Sequence, residues 1–425
     1  MKKIWFYLYN LFAYPMIRLI ILISPLLNKK IRESIKGRRK LFENLVINFT
    51  GIDRRKKIIW FHSASMGEFE QAKPIIEKLK NEKNINIIVS FFSPSGYNNS
   101  LKYPYADVIS YIPLDTPYLT SRFLRYVQPD LAVFMRYDIW PNMIWQLAKK
   151  RIPYFIVDAT MRSNSDRLLP IIKNFHKSLF ESAAKIMAVS DLDSENFKKF
   201  GINPDIIKTI GDTRFDRVYQ KSIDAKEKKL SGEEIFIGKK VFILGSSWES
   251  DEDVMLPAIL KLIEKDKDVI AIIVPHETDI VRIEKIENIL FGKTKSIRFS
   301  YLNNYNEEKI IIVDSVGILL TLYKYAHAAY VGGSFKQGIH NVLEPAVYGI
   351  PVVFGPKIEN SREAKLLVEI GGGFIVKNKK EAYRIIRKIF SDEQFRIYSG
   401  QINSSFTYQN TGATNAILKE INDYL

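Results

Sequence analysis

Short apolar runs alternate with amphipathic stretches from residue 57 to the C-terminus, and this alternation constrains the fold more than any other feature of the chain. Nearly continuous apolar strands separated by helices are typical of a parallel sheet that helices cover on both faces. The predicted strands are residues 58–62, 85–92, 108–112, 131–135, 154–157, 186–189, 241–244, 269–274, 310–313, 329–331 and 352–354. The predicted helices between them include residues 68–80, 140–150, 251–264, 342–348 and 362–369. The pattern therefore predicts the α/β class.

One polar, charged segment without periodicity, residues 221–240, interrupts the alternation. It divides the pattern into two series, which indicates two doubly wound α/β domains. The 425 residues, 46% of them hydrophobic, suffice for two such cores. We expect an N-terminal domain over residues 41–220 and a C-terminal domain over 221–425. The last helix, at about 412–425, could pack on either domain.

The first 40 residues differ in character from the rest of the chain. Residues 4–27 are strongly apolar and long enough to span a bilayer, which takes roughly 20 residues. However, Asn10, Pro15 and Arg18 interrupt the run. A cleaved signal peptide is the competing interpretation, but no small-residue cleavage site follows. We expect residues 1–40 to form a membrane-anchoring helix with a basic juxtamembrane segment, either spanning the bilayer or lying in its interface.

The position of the positive charge also indicates a membrane. The net charge is +16, and residues 1–60 carry 14 Lys or Arg against 3 Asp or Glu. A basic cluster beside an apolar segment attracts anionic lipid headgroups and favours the cytoplasmic side. Nucleic-acid binders usually spread their basic surface over the folded domain, so we expect an anionic membrane surface and no nucleic acid as partner. The absence of cysteine excludes disulfides, zinc–thiolate sites and cysteine nucleophiles.

Ligands of parallel sheets bind where the strands end, which directs attention to two segments of the first domain. Ser65, Gly67 and Glu68 follow the strand at 58–62, and Glu68 falls in the first turn of a helix. A carboxylate there can act on a ligand or simply stabilise the helix dipole, and position alone does not separate the two. Asp138 follows the strand at 131–135 and could cap the helix that begins near Pro141.

In the second domain, a glycine-rich turn follows the strand at 329–331 and leads into a helix. Its residues Gly332, Gly333 and Ser334 could bring backbone N–H groups to a phosphate, and Asn341 and Glu344 could face the same ligand. A glycine turn followed by a capped helix is an equally good interpretation of this segment. Three further loops end strands of this domain, namely residues 245–247, 275–277 and 314–317. The five histidines form no metal-binding motif, so we expect no metal.

Together these motifs resemble the Kdo transferases, which transfer 3-deoxy-D-manno-octulosonic acid (Kdo) to the lipid A precursor. The resemblance covers nearly the whole chain, including the basic, apolar N-terminus. It is carried by Ser65–Glu68 as an S-x-G-E turn and by residues 93–96, 128–130, 140–142, 211–216, 332–334 and 340–345.

The resemblance implies a GT-B fold, with two Rossmann-like domains facing a central cleft. The first domain would bind the acceptor lipid A precursor (lipid IVA) and the second CMP-Kdo, without metal or cofactor, in lipopolysaccharide biosynthesis at the cytoplasmic face of the bacterial inner membrane. Glu68 would be the general base. The acceptor-side residues would be Ser65, Gly67, Ser93, Gly96 and Asp138. The nucleotide-sugar residues would be Ser246, Ser247, Pro275, His276, Val316, Gly317, Gly332, Gly333, Ser334, Asn341, Glu344 and Arg214.

This sequence departs from the family at the acceptor side. Many members have an acidic residue where Arg136 stands and a small residue where Tyr137 stands, and the loop at 336–339 is less rich in glycine here. These departures concern the acceptor more than the reaction type. The alternatives are another GT-B enzyme, such as a UDP-sugar lipid glycosyltransferase or a nucleotide-sugar epimerase, and a non-catalytic membrane scaffold.

Overall fold

The computed structural model describes residues 2–27 and 29–425, with the side chains of residues 3–20 and 31–425. The chain divides into two compact units. The first unit comprises residues 1–217 and 411–425, and the second comprises residues 218–410. Each unit contains one parallel sheet, as the alternation of apolar runs predicts.

The first unit is built on a seven-stranded parallel sheet of order β3-β2-β1-β4-β5-β6-β7. The strands are β1 (Ile58–Ser63), β2 (Asn86–Phe91), β3 (Val108–Tyr111), β4 (Leu131–Met135), β5 (Tyr154–Ala159), β6 (Lys185–Ala188) and β7 (Ile207–Thr209). The six predicted strands are confirmed. The edge strand β7 was not predicted. It has three residues, of which only Ile207 is buried, and therefore no apolar run marks it.

Helices cover both faces of this sheet. The helices of this unit are α1 (Lys2–Leu8), α2 (Tyr14–Leu27), α3 (Lys29–Arg38), α4 (Leu41–Asn48), α5 (Met66–Glu82), α6 (Pro94–Ser100), α7 (Pro117–Val127), α8 (Pro141–Lys149), α9 (Pro170–Phe180) and α10 (Asp191–Lys198). The next helix, α11 (Thr213–Glu227), begins in the first unit and continues into the second. Four helices of the first unit begin with proline, which suits a first helical position because no hydrogen bond is lost there. Alternate residues of β1 face opposite sides, so Trp60 lies in one core layer and Phe61 in the other.

The second unit repeats this architecture with the strand order β10-β11-β9-β8-β12-β13-β14. Its strands are β8 (Lys240–Ser247), β9 (Val269–Pro275), β10 (Ser296–Arg298), β11 (Ile310–Ile312), β12 (Ala326–Val331), β13 (Val352–Phe354) and β14 (Gly373–Ile375). Its helices are α12 (Glu249–Lys265), α13 (Ile280–Leu290), α14 (Leu319–Leu322), α15 (Leu343–Ala346), α16 (Arg362–Glu369), α17 (Lys379–Ser391) and α18 (Glu393–Gln409). The five predicted strands are confirmed, and the short edge strands β10 and β14 escaped prediction.

The last helix, α19 (Ala413–Asn422), belongs to the first unit and not to the expected 221–425 domain. Ile417 and Ile421 are fully buried in the same apolar cluster as Ile75 of α5. Asp216 secures the start of this segment, since its carboxylate accepts from the backbone N–H groups of Gly412 at 2.7 Å and Thr414 at 2.9 Å. Long-range packing therefore decides the placement that the sequence left open.

The N-terminal segment packs against the first unit through an aromatic face. A π-helical turn, Tyr9–Ala13, joins α1 to α2. The Tyr9 hydroxyl donates to Oδ2 of buried Asp115 at 3.0 Å, and Asn10 exchanges two side-chain hydrogen bonds of 2.9 Å with Asn142. Among the described residues, no helix is both long and apolar enough to cross a bilayer.

Candidate functional site

Glu68 lies at the carboxyl end of β1, in the first turn of α5. Ser65 caps this helix, and its hydroxyl accepts from the Glu68 backbone N–H at 3.5 Å. In return, Oε2 of Glu68 accepts from the backbone N–H of Ala64 at 2.6 Å. This reciprocal arrangement resembles a capping box, and it holds the half-buried carboxylate above the end of the strand.

The surroundings of Glu68 shift its proton affinity. Burial raises the pKa of the carboxyl above its ordinary value, and the negative charge of Asp138 acts in the same direction. The Ala64 N–H, His62 and Arg136 oppose the shift without cancelling it. A carboxylate with a raised pKa takes up a proton more readily, as a general base requires.

Asp138 makes a hydrogen-bonded pair with His62, which is completely buried at the end of β1. His62 Nε2 lies 2.9 Å from Oδ2 of Asp138, and Nδ1 lies 2.9 Å from the Ser90 hydroxyl. The Ser90 oxygen already accepts from Trp60 Nε1 at 2.8 Å, so its proton can go to His62 Nδ1. Nδ1 also lies 3.1 Å from the Ser90 carbonyl oxygen, so contacts on both ring nitrogens hold His62, and its Nε2 fixes the Asp138 carboxylate beside Glu68.

Asp138 does not cap α8, so that expectation was wrong. The helix N-cap position is Trp140, whose side chain makes no capping bond. Asp115 instead accepts from the backbone N–H groups of Asn142 and Met143, both at 3.0 Å. Sequence reasoning assigned no role to His62 or Asp115, because their hydrogen-bond partners lie far away in the chain. Asp138 is 76 residues from His62, and Asn142 is 27 residues from Asp115.

Ser93 and Gly96 lie on the neighbouring loop, after β2. The Ser93 hydroxyl caps α6 by accepting from the Gly96 N–H at 3.1 Å, and the Ser93 N–H donates to the Ala64 carbonyl at 2.9 Å. A Cβ at Gly96 would lie 2.6 Å from the Phe91 ring. A Cβ at exposed Gly67 would meet nothing closer than 3.9 Å, so a ligand could approach the backbone there. The predicted acceptor-side residues thus share one edge of the first sheet.

In the second unit, the glycine turn is packed against the last residues of β8. A Cβ at Gly332 would lie 2.1 Å from the Ser246 carbonyl oxygen, and one at Gly333 would lie 2.1 Å from the Gly338 carbonyl oxygen. Gly333 also has a φ of +95°, which favours glycine. Both residues are therefore glycine because two segments of backbone meet there.

The two glycine N–H groups are already engaged within the unit. That of Gly332 donates to the Gly245 carbonyl, and that of Gly333 donates to buried Asp251 at 2.9 Å. Asp251 also accepts from the Trp248 N–H and the Tyr330 hydroxyl. The expectation that these N–H groups cradle a phosphate was wrong, because their hydrogen bonds to Gly245 and Asp251 hold the turn in place.

Ser247, Ser334 and Pro275 form the buried base of the same region. The Ser247 hydroxyl donates to Glu252 at 2.8 Å, and the Ser334 hydroxyl accepts from the Gly355 N–H at 2.6 Å. Pro275 ends β9, and the following N–H, that of His276, donates to the Ser247 carbonyl at 2.9 Å. These bonds hold the ends of β8, β9 and β12 in one place.

His276 belongs to a stack of three rings that sequence reasoning did not foresee. Its ring centroid lies 4.5 Å from those of Trp248 and His340, and Trp248 Nε1 donates to His340 Nε2 at 3.0 Å. Burial lowers the pKa of His340, as does the neighbouring His276, which favours the neutral, accepting imidazole. The available signal was the position of Trp248 directly after Ser246 and Ser247.

The remaining predicted residues lie around this region or outside it. Asn341 donates from Nδ2 to Glu344 at 3.3 Å. Val316, 82% exposed, and Gly317 follow β11, the strand that pairs with β9. Arg214 lies in the first unit, where it forms an ion pair with Asp212 of 2.6 Å. Among the described residues, no group of three or more potential ligands could hold a metal.

Solved structures with this architecture include sugar-nucleotide enzymes. The UDP-GlcNAc 2-epimerase of Neisseria meningitidis, bound to UDP-GlcNAc, is 14% identical with a TM-score of 0.61, over 86% of this chain and all of that chain. A glycosyltransferase of Rickettsia africae is 15% identical with a TM-score of 0.56, over 87% and 98% of the two chains. At such low identity the likeness shows the fold alone, and the fold defines a protein of the GT-B class, as expected.

Sequence relatives within this class are Kdo transferases. The family model for 3-deoxy-D-manno-octulosonic-acid transferase (kdotransferase) matches residues 34–217. The 3-deoxy-D-manno-octulosonic acid transferase of Haemophilus influenzae is 26% identical over 86% of this chain and 87% of its own. That of Aquifex aeolicus is 29% identical over 79% and 87%. The chain is thus similar to Kdo transferases over most of its length, in agreement with the resemblance of its motifs, and these relatives support a glycosyltransferase.

A longer relative matches more of the chain. The bifunctional glycosyltransferase/methyltransferase of Fusobacterium nucleatum is 29% identical over 92% of this chain. The match spans only 61% of that protein's own length.

Proposed function

We propose that this enzyme transfers Kdo from CMP-Kdo to a sugar hydroxyl of a lipid A precursor, lipid IVA, with Glu68 as general base. The observation that carries the proposal is the Glu68 carboxylate itself. It lies at the carboxyl end of β1, an interior strand of the sheet, where the Ala64 N–H holds it and burial raises its pKa.

In the proposed step, the acceptor hydroxyl oxygen attacks the anomeric carbon of Kdo and transfers its proton to Glu68. The bond from that carbon to the CMP phosphate oxygen breaks at the same time, and its electron pair leaves with CMP. Attack opposite to the leaving group inverts the anomeric centre. Asp138, held by His62, supports the proton transfer because its charge raises the proton affinity of Glu68. We propose that no metal takes part.

We assign the second unit to CMP-Kdo. The turn at residues 332–334, together with Ser246, Ser247 and Pro275, supplies a fixed floor of backbone. His276 continues this floor as part of the stack with Trp248 and His340. Asn341 and Glu344 would bind ribose hydroxyls, and Val316 and Gly317 would border the nucleotide.

We assign the lipid acceptor to the first unit. Besides the residues around Glu68, a cavity of about 470 Å³ lies between α3 and the start of α6. Ile35, Phe92 and Leu114 supply apolar surface to it, and Ser93 lies at its edge. An acyl chain of the acceptor would occupy this cavity while a sugar hydroxyl reaches Glu68.

We further propose that the N-terminal segment lies on an anionic membrane surface, at the cytoplasmic face of the inner membrane. The face opposite to Tyr9 and Tyr14 presents apolar side chains that are 58–68% exposed. They are Ile4, Tyr7, Leu11, Phe12, Met16, Leu19 and Ile20. Ile171 of α9, 74% exposed, adds to this surface because Phe175 of the same helix packs on Trp5. The basic α3 and Arg39 and Lys40 after it are suited to anionic headgroups.

The experiment that tests the proposed function is transfer of labelled Kdo to tetraacylated lipid A precursor, with CMP-Kdo generated in place and a chelator present. We expect product formation that CMP inhibits and UDP does not. Transfer from a UDP-sugar in place of CMP-Kdo would favour the other GT-B enzymes. A folded, membrane-bound protein that uses no sugar nucleotide would favour the scaffold.

A further inference from the structure

The N-terminal segment makes polar contacts in the interior of the first unit, which attachment to a membrane alone does not require. The hydroxyl of buried Tyr9 donates to Oδ2 of Asp115 at 3.0 Å. Asn10 donates from Nδ2 to Oδ1 of Asn142 at 2.9 Å, and its own Oδ1 accepts from Nδ2 of Asn142 at 2.9 Å. Asp115 and Asn142 are both buried, so these hydrogen bonds form away from bulk water.

Asp115 and Asn142 also hold the first turn of α8. The Asp115 carboxylate accepts from the backbone N–H groups of Asn142 and Met143, both at 3.0 Å, and Nδ2 of Asn142 donates to the Asp115 carbonyl at 2.6 Å. A buried carboxylate or amide that loses a hydrogen-bond partner is costly. Loss of the contacts from Tyr9 and Asn10 should therefore displace both side chains and, with them, the start of α8.

The start of α8 determines where the preceding loop ends. This loop, residues 136–140, joins β4 to α8 and carries Asp138. Trp140, its last residue, stacks on Phe92 with 5.0 Å between the ring centroids, and Trp140 Nε1 lies 3.4 Å from Oδ2 of Asp138. The loop is therefore fixed at this end by a helix that the N-terminal segment helps to hold.

We propose that Tyr9 and Asn10 are positioning residues for the reaction, which hold the start of α8 and, through it, the Asp138 carboxylate beside Glu68. The N-terminal segment is then part of the acceptor side of the site as well as the part of the chain that meets the membrane. The inference rests on the proposed function, in which Asp138 supports proton transfer to Glu68. It adds two residues, more than 50 positions before Glu68 in the chain, to those on which the rate of transfer depends.

The two faces of the segment separate this role from membrane binding. Tyr9 and Asn10 face the first unit, whereas the neighbouring Leu11 and Phe12 are 64% and 65% exposed. Loss of an inward hydroxyl or amide leaves the exposed apolar face unchanged. If the segment serves attachment alone, such a loss alters neither membrane binding nor transfer. If it positions Asp138, transfer slows while membrane binding stays intact.

The test measures Kdo transfer to lipid A precursor in detergent micelles, where attachment to a membrane is not needed. The variants are Tyr9→Phe, Asn10→Ala and their combination, and Tyr9→Phe keeps the ring that packs on Trp145. Tyr118→Phe, at a side chain 64% exposed on α7, is the matched control. Single turnover with saturating enzyme gives a rate constant that does not depend on the folded fraction. Thermal unfolding identifies a combined variant that fails to fold, and the single variants then carry the test.

We expect the combined variant to lower the single-turnover rate constant by about 10-fold or more. Amide hydrogen exchange in residues 136–142 should become faster, while CMP affinity and sedimentation with anionic vesicles stay near those of the wild type. An unchanged rate constant in micelles would overturn the proposal, and so would slower transfer with unaltered exchange in residues 136–142. Failure of the wild type to transfer Kdo would instead refute the proposed function, and this inference with it.

Discussion

The backbone N–H of Ala64 lies 2.6 Å from Oε2 of Glu68, so the residue before the helix N-cap holds the carboxylate of the third helical residue. The bond stabilises the ionised carboxylate, whereas burial and the charge of Asp138 favour the protonated one. The balance raises the pKa, and this opposition gives the site a carboxylate that can gain and release a proton.

The pH dependence of transfer should respond to Asp138. A general base must be ionised, so kcat/KM falls as the pH drops through the raised pKa of Glu68. Asp138→Asn removes a negative charge that raises this pKa, and the acidic limb of the profile should move to lower pH. Arg136→Ala should move it to higher pH. The profile of kcat/KM against pH checks both, with Asp166→Asn, at an exposed carboxylate, as control.

If the acidic limb of the kcat/KM profile moved to higher pH in Asp138→Asn, the assignment of that limb to Glu68 would be contradicted. Identical pH profiles of kcat/KM for the wild type and all these variants would contradict it as well.

The glycine turn of the second unit should not tolerate a side chain. Gly332→Ala would place a Cβ 2.1 Å from the Ser246 carbonyl oxygen, and neither backbone segment can move without disturbing Ser247. We expect a loss of about 1–3 kcal/mol in stability and at least 10-fold in CMP affinity. Gly292→Ala is the control, because that residue also has a positive φ but an open surrounding. Thermal unfolding and equilibrium CMP binding provide the measurements, and unchanged CMP affinity in Gly332→Ala would count against this site.

The exposed apolar face of the N-terminal segment should bind membranes. Full burial of a large apolar side chain contributes about 1.5–3 kcal/mol, so replacing two of them with aspartate should weaken binding strongly. We expect Leu11→Asp combined with Phe12→Asp to lower the fraction bound to vesicles containing anionic phospholipid. Phe291→Asp, at a side chain 87% exposed in the second unit, should bind as the wild type does. Equal sedimentation of all three proteins with vesicles would exclude this face.

Asp115 should make stability depend on pH. Burial raises its pKa to about 6, above the ordinary value near 3.9. The folded state thus binds a proton that the unfolded state releases, and the associated stability is present below about pH 4 and lost as the pH rises through about 6. The difference corresponds to roughly 3 kcal/mol.

Asp115→Asn cannot ionise, so the free energy of unfolding of the wild type should fall relative to that of the variant between pH 4 and 7. Denaturant melts at several pH values measure this difference. A difference that is constant or moves the other way would contradict the raised pKa.

The sequence predicted what depends on local patterns. Continuous apolar strands predicted the two sheets, and the turn Ser65–Glu68 after the first of them gave the position of the candidate base. The edge strands β7, β10 and β14 escaped prediction because they are short and only partly buried, whereas the equally short β11 and β13 are fully buried apolar runs. The placement of α19 depends on the packing of Ile417 and Ile421, which no local pattern contains.

The site followed the same division. Glu68 could be found because it follows a strand and begins a helix, and Ser93 through the resemblance to the Kdo transferases. The pair of His62 with Asp138 and the stack of Trp248 on His340 join residues 76 and 92 positions apart, which only the fold brings together. The motif at the glycine turn predicted N–H groups that face a ligand. In the structure the N–H groups of Gly332 and Gly333 donate to Gly245 and Asp251 instead.

The central claim is tested most directly by Kdo transfer with Glu68→Gln, measured in single turnover with CMP binding followed in parallel. Glu82→Gln, at an exposed carboxylate at the far end of the same helix, is the matched control. The account predicts that Glu68→Gln lowers the rate of transfer by about 10²–10⁴-fold while CMP affinity and thermal stability stay near those of the wild type. Transfer by Glu68→Gln at the rate of Glu82→Gln would contradict it.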